Sequence, residues 1–114
     1  MAGGFKVGRM SEDIKRELSC IMRELKDPRV KKAMLSIASI ELSNDLSHCK
    51  IFISAMEGID AAKEAVLGLT SATGFIKREI MKRLSIRKCP DFKFIADDSI
   101  EHSADIYKML EDLN

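Results

Sequence analysis

Apolar residues recur at helical spacing near the start of the chain. Between residues 7 and 25 they return at steps of three or four, as in an α-helix with one face on a core. The stripe consists of Val7, Met10, Ile14, Leu18, Ile21 and Leu25. The helix is expected to end before Asp27 and Pro28, because a residue that precedes proline disfavours helical conformation.

Three short segments have the composition of β-strands. Residues 35–42 (LSIASIEL) alternate imperfectly, but their isoleucines favour a strand, and residues 49–54 (CKIFIS) alternate clearly. The polar link at residues 43–47 is typical of a turn, so the two segments predict an antiparallel hairpin. Residues 92–96 (FKFIA) predict a third strand.

Two more helices are predicted between the second and third strands. The first begins at Ile59, and the second covers residues 75–84 with Ile76, Ile80 and Leu84 on its inner stripe. A kink is predicted between them at Ala72, Thr73 and Gly74, since glycine disfavours a helix interior and Ser/Gly pairs are common kink positions. Replacing Gly74 by alanine is therefore expected to misplace the second of these helices.

The last segment predicts a helix that begins with a capping box at residues 98–101. Its inner stripe would be Ile100, Ala104, Tyr107 and Leu110. The predicted order is α-β-β-α-α-β-α, and the helical crossover makes the second and third strands parallel. The sequence thus predicts one α+β domain over residues 1–114, with residues 1–5 flexible, helices on one face of a three-stranded mixed sheet and a kinked helix pair.

Composition favours a small globular domain. The chain has 114 residues, 46% of them hydrophobic and 32% charged, which fits one core and excludes a disordered chain. No apolar run reaches the length of a membrane span, and the start lacks the apolar region of a signal peptide. Three widely spaced cysteines without a C-x-x-C motif indicate a reducing cytoplasm rather than a disulfide framework or a zinc site.

A net charge of +1 conceals two basic and two acidic blocks. Residues 6–32 carry nine bases and five acids, and residues 71–93 carry seven bases and two acids. Residues 34–70 and the segment from residue 95 onward are acidic. Such asymmetry predicts one face that attracts a polyanion and another that repels it.

Cations around the predicted helix at residues 75–84 are the main candidates for RNA phosphate contacts. They are Lys77, Arg78, Lys82, Arg83, Arg87 and Lys88. Arg9, Arg16 and Arg23 recur every seven residues and would extend the surface if the first helix lies alongside. Phosphate contacts release counterions, so binding should weaken steeply with salt. The alternative is an ordinary solvated helix face.

Other chemistry has weaker support. His48 and His102 lack a set of partners suited to zinc, and there is no phosphate-binding loop. Ser47 beside His48 fits a turn better than a nucleophile pair, and Asp97 with Asp98 fits a helix cap better than paired catalytic carboxylates. The sequence therefore predicts no enzyme, cofactor, metal or small-molecule substrate.

Aromatic stacking on RNA is also disfavoured by the sequence. The chain has no tryptophan, and its phenylalanines at positions 52, 75, 92 and 94 occupy core-compatible positions. Modules that stack RNA bases expose their aromatic rings.

Four segments in the same order resemble one family, ribosome-binding factor A, over nearly the whole chain from Arg9 to Leu113. They are DPRV at 27–30, DLSH at 45–48 leading into a strand, ATGFI at 72–76 followed by Arg78-Glu79 and Lys82-Arg83-Leu84, and Phe94 with DDSIEH at 97–102. Two departures, Ser103 and Asp105, stand where many relatives carry glycine and arginine, which makes this tail more acidic.

The resemblance implies a type II KH-like fold in which an A-x-G kink, here Ala72 to Gly74, replaces the G-x-x-G loop. It implies a cytoplasmic, monomeric assembly factor that binds the free 30S ribosomal subunit. There it would aid late maturation and 5′-end processing of 16S rRNA, above all in the cold. The rival hypothesis is a protein–protein adaptor or homodimeric α+β module that does not bind RNA directly.

Overall fold

Seven elements form the described part of the protein. The computed structural model describes the backbone of residues 2–97 and the side chains of residues 8–97. In chain order the elements are α1 (Ala2–Glu24), α2 (Pro28–Lys31), β1 (Leu35–Leu42), β2 (His48–Ala55), α3 (Ile59–Ser71), α4 (Thr73–Leu84) and β3 (Asp91–Ala96). The α+β class, the hairpin and the helical crossover are confirmed.

Helix α1 packs its apolar stripe into the core, with Ile14, Leu18 and Ile21 fully buried. It ends at Glu24, before Asp27, as predicted. It begins at Ala2, five positions before the predicted start at residue 7. The apolar stripe marks where a helix touches the core, and the helix itself extends beyond that contact.

A β-bulge in β1 explains the imperfect alternation of its sequence. Pairing with β2 shifts register between Ile37 and Ser39. The extra residue returns later apolar side chains to the same face, so that Ile37 is buried and Ile40 is partly buried against the same core. A regular strand would have turned Ile40 toward the other face.

Strand β2 is central in the sheet order β1-β2-β3. It pairs antiparallel with β1 and parallel with β3, which makes the sheet mixed as predicted. The face of β2 that carries Cys49, Ile51 and Ile53 is buried against the helices together with Phe94 of β3.

The short helix α2 was missed in the sequence prediction, which used Asp27 and Pro28 only as a stop signal. Asp27 is the N-cap of α2, its carboxylate accepting the backbone N–H of Arg29 at 2.9 Å, and Pro28 occupies the first turn. Gly68 of α3 lies against this cap, since a Cβ there would be 2.8 Å from Cγ2 of Val30. Glycine therefore allows α3 to approach α2 closely.

The break between α3 and α4 lies at Ala72, whose φ and ψ are −93° and 8°. Hydroxyl side chains around it donate to carbonyl groups of the preceding turn: Thr70 to Val66 at 2.7 Å and Thr73 to Thr70 at 2.7 Å. Such bonds bend helices.

The structure gives no steric reason for glycine at position 74. Gly74 lies inside α4 without a positive φ, and a Cβ there would meet nothing within 4 Å. The bend therefore does not require the space left by a missing side chain at this position, and alanine fits there.

The helix predicted after residue 98, including Tyr107 and the departures at Ser103 and Asp105, lies outside the described residues. The flexibility predicted for residues 1–5 stays a prediction. Within residues 2–97, no helix has both the length and the apolar character needed to cross a membrane.

Candidate nucleic-acid interface

Helix α4 presents its cations on three sides of a rod that is anchored by two isoleucines. Ile76 and Ile80 are fully buried and fix the rotation of the helix. One side of α4 faces β3, a second side faces α1, and the third faces solvent. The six cations predicted in this region consequently have different surroundings.

Lys77 lies on the side that faces β3. Its ammonium group donates to Oδ1 of Asp91 at 2.8 Å, and its side chain is 31% exposed. The hydrogen bond from Lys77 lowers the pKa of Asp91 and raises that of Lys77. This cation is therefore partly neutralised by the protein itself.

Arg83 lies on the side that faces α1, where three carboxylates surround it. Its guanidinium donates to Glu24 at 2.8 Å and to Glu79 at 3.3 Å, and it lies 3.7 Å from Glu17. Burial alone would lower the pKa of Arg83, but the hydrogen bonds and charges of Glu24 and Glu79 raise it. The charge of Arg83, which the sequence groups with the RNA contacts, is therefore met by carboxylates of the protein itself.

The remaining four cations point to solvent: Arg78, Lys82, Arg87 and Lys88. None of them forms an ion pair or a side-chain hydrogen bond within the described part of the chain. The αL conformation of Ser85 (φ 53°, ψ 42°) ends α4 and turns the chain toward Arg87 and Lys88. The unpaired positive charge of this region is thus concentrated on the outer side of α4 and the loop after it.

Arg9, Arg16 and Arg23 form the arginine row of α1. All three are exposed, and α1 packs against α4. Arg16 lies 3.3 Å from Asp13 and 3.5 Å from Glu17, in exposed contacts that contribute little energy. No described residue pairs with Arg9 or Arg23. The structure therefore places the arginines of α1 and the cations of α4 on adjacent helices.

Arg23 also lines a groove between α1, α2 and β1 with a volume of about 460 Å³. Lys15 and Lys31 line the same groove, above a floor that includes Met22 and Ile37. Lys15 and Lys31 were counted in the first basic block but were not singled out as contacts. Lys15 of α1 and Lys31 of α2 line the same groove because of the position of α2, a helix that the sequence did not predict.

The prediction that the phenylalanines belong to the core is wrong for Phe75. Phe94 is buried and packs near Phe92, but Phe75 is 41% exposed. It shares a stripe of α4 with Arg78 and Lys82, at spacings of three and four residues. The helical period could have revealed this, since position 75 lies off the stripe of Ile76 and Ile80.

Ser47 and Asp97, which the sequence offered as weak candidates for catalysis, form hydrogen bonds within the fold. Ser47 donates to Asp45 at 2.6 Å, and Ser43 donates to the same oxygen at 2.7 Å. These hydrogen bonds lower the pKa of Asp45 to about 2 and build the β1–β2 turn. Asp97 accepts from Ser54 at 3.1 Å, and Asp98 lies outside the described residues.

No group of three His, Cys, Asp or Glu residues within residues 8–97 is arranged to hold a metal ion. What the outer side of α4 offers instead is a row of ammonium and guanidinium groups that have no carboxylate partner among residues 8–97. Such groups bind phosphate oxygens, and arginine does so with two parallel hydrogen bonds.

Comparisons with known proteins agree with the resemblance found in the sequence. The family model for ribosome-binding factor A matches residues 6–110. A ribosome-binding factor A from Caldanaerobacter subterraneus subsp. tengcongensis is 40% identical over 111 residues, covering 96% of this chain and 90% of that protein.

A crystal structure and a homology model fitted into a cryo-electron microscopy map share the fold. The crystal structure of ribosome-binding factor A from Thermus thermophilus has a TM-score of 0.68 at 22% identity, covering 79% of this chain and 93% of that one. A model of the Thermus thermophilus protein, fitted into a cryo-electron microscopy map of its complex with the 30S subunit, has a TM-score of 0.63 at 23% identity, covering 76% and 90%.

Proposed function

Since the chain belongs to the ribosome-binding factor A family, we propose that it binds the free 30S ribosomal subunit and assists late maturation of 16S rRNA. This role includes processing of the 5′ end and matters most in the cold. The protein acts as a monomer in the cytoplasm, without enzymatic activity. It recognises folded rRNA by phosphate contacts and shape, using the outer side of α4.

The observation that carries this proposal is the unequal pairing of the α4 cations. Lys77 and Arg83 are held by carboxylates of the protein, whereas Arg78, Lys82 and Arg87 have no such partner among the described residues. A cation without an internal partner can neutralise an RNA phosphate and release the small cations condensed on the RNA, which favours association. The row Arg9, Arg16 and Arg23 on neighbouring α1 is a second source of contacts.

Co-sedimentation with isolated 30S subunits over a range of salt concentrations tests the proposal. Replacing Arg78, Lys82 and Arg87 together by glutamine should weaken binding about tenfold or more and reduce the slope of log K against log salt by about 2 to 3 units. The matched control replaces Lys50, Lys63 and Lys93, which are exposed on β2, α3 and β3. It removes the same charge and should leave the affinity within about twofold, because these lysines would attract the RNA only from a distance, and salt screens such long-range attraction.

Several results would contradict the proposal. Equal losses for both triple variants would show that net charge alone matters and would refute the α4 surface. A protein that does not co-sediment with subunits and elutes as a homodimer would favour the adaptor hypothesis.

In cells, the α4 triple variant should accumulate 16S rRNA with an unprocessed 5′ end at low temperature, which primer extension measures.

A further inference from the structure

Phe75 is the one exposed phenylalanine within residues 8–97, since Phe52 and Phe92 are half-buried and Phe94 is buried. Its exposure is 41%, whereas Phe94 is 6% exposed and Phe92 packs against it with ring centroids 6.2 Å apart. A single exposed apolar side chain is common and needs no special explanation. Its position, however, coincides with the uncommitted charge of α4.

Arg78 and Lys82 follow Phe75 at i+3 and i+7, so the three side chains form one outward stripe. Neither cation has a carboxylate partner within the described residues. Exposed Met34, Met56 and Leu67 do not share this stripe, because they lie outside α4. The ring of Phe75 is therefore flanked on its own helix by two cations whose charges no residue of the described part of the chain neutralises.

We infer that this stripe binds an unpaired RNA base, stacked on the ring of Phe75, while Arg78 and Lys82 hold the neighbouring phosphates. Bases inside a continuous duplex cannot reach such a ring, whereas bulged and loop bases can. Stacking on an aromatic ring tolerates any base, and cations along the same track bind the backbone. The inference rests on the proposed function and narrows the ligand to folded RNA with an extruded nucleotide.

The absence of tryptophan from the sequence gives a direct spectroscopic test. Phe75→Trp places a sole tryptophan at the proposed stacking position. Its emission should be quenched on binding an RNA hairpin with one bulged adenine and on binding 30S subunits. The same hairpin without the bulge should leave the emission nearly unchanged at equal occupancy. Equal quenching by both hairpins, or none by either, overturns the inference.

Affinity measurements test the inference without a new fluorophore. Phe75→Leu keeps an apolar side chain but loses the ring, and should weaken binding to 30S subunits about tenfold. Because no charge is lost, the salt slope should stay the same. Phe75→Tyr should bind like the wild type, and Leu67→Ala is a control for loss of an exposed apolar side chain on α3.

The outcomes separate this inference from the proposed function. Wild-type affinity of Phe75→Leu, together with weak binding of the Arg78, Lys82 and Arg87 triple variant, refutes base stacking and leaves phosphate recognition in place. Loss of affinity in Phe75→Leu without quenching of Phe75→Trp by the bulged hairpin also refutes stacking, because the ring would then contact something other than a base. Failure of the wild-type protein to bind subunits refutes both.

Discussion

Arg83 on α4 donates to Glu24 on α1 at 2.8 Å, which ties the two basic helices together. The guanidinium also contacts Glu17 on α1, at 3.7 Å. Two acids of α1 thus face α4, while the arginines of α1 face solvent. Like charges on packed helices would repel, so Glu17 and Glu24 allow two cationic helices to lie side by side.

Neighbouring cations on α4 should therefore have opposite effects when neutralised. Arg83→Gln leaves Glu24 and Glu79 without their partner and removes one of the two partners of Glu17, so Tm should fall by about 4 °C, with a small change in affinity. Lys82→Gln removes a solvated charge, so Tm should change by less than about 1 °C while the salt slope for 30S subunits falls by about 1 unit. Thermal melts and co-sedimentation measure the two quantities. An unchanged Tm in Arg83→Gln would refute the structural role of Arg83, and a loss of affinity as large as that in Lys82→Gln would show that Arg83 also contacts RNA.

Two glycines should respond differently to alanine. Gly68→Ala places a Cβ 2.8 Å from Cγ2 of the stiff, buried Val30, so it should destabilise the fold by about 1–2 kcal/mol after the gain in helix propensity is counted. Gly74→Ala meets nothing within 4 Å and should stabilise the protein by up to about 1 kcal/mol. Denaturant unfolding measures both changes.

Affinity for 30S subunits should be retained in Gly74→Ala. A large loss of affinity in this variant, with stability unchanged, would restore the hypothesis that Gly74 sets the angle of α4. The outcome of Gly68→Ala does not depend on RNA, so it also serves as a control for the stability assay.

Contacts between residues that are distant in the chain and meet only in the folded protein could not be predicted from the sequence. The helical spacing of the apolar residues around Ile14 and around Ile76 predicted these helices, because the spacing within one helix is enough to show which face is buried. The pairing of Arg83 with Glu24 spans 59 positions in the chain, and no local pattern encodes it. The bulge beyond Ile37 is visible in the sequence as broken alternation, but choosing a bulge over a weak strand required the register with β2.

The turn before β2 should make stability depend on pH at the acid end. Hydrogen bonds from Ser47 and Ser43 lower the pKa of Asp45 to about 2, below the ordinary carboxyl value. A carboxyl group with a lowered pKa in the folded state stabilises the protein above its unfolded pKa, and this contribution is lost as pH falls from about 4 to about 2.

Asp45→Ala should therefore have a lower Tm than the wild type at pH 6, and the gap should narrow steadily below pH 4. The control Glu12→Ala removes an exposed acid of α1 and should show no such gap. A Tm difference for Asp45→Ala that is constant from pH 6 to pH 2 would mean that the carboxylate charge does not stabilise the turn.

The three cysteines differ in exposure, which provides a site-specific probe of α1. Cys20 is exposed between the arginines at positions 16 and 23, whereas Cys49 and Cys89 are buried. Burial raises the pKa of Cys49 to about 12 and that of Cys89 to about 11. Only the thiolate reacts with maleimides, so these two thiols should be inert in the folded protein.

Maleimide at pH 7 should modify one thiol per folded chain, Cys20, and all three after unfolding, as counted by mass spectrometry. Binding to 30S subunits should slow the labelling of Cys20 about tenfold or more if the arginine row of α1 takes part in the interface, because RNA would cover the thiol between those arginines. A Cys20→Ser variant that carries Ser39→Cys on exposed β1 should keep its labelling rate on the subunit. If Cys20 labels equally fast in the bound protein, the arginine row of α1 is not covered, and the contacts of the proposed interface are limited to α4 and the loop that follows it.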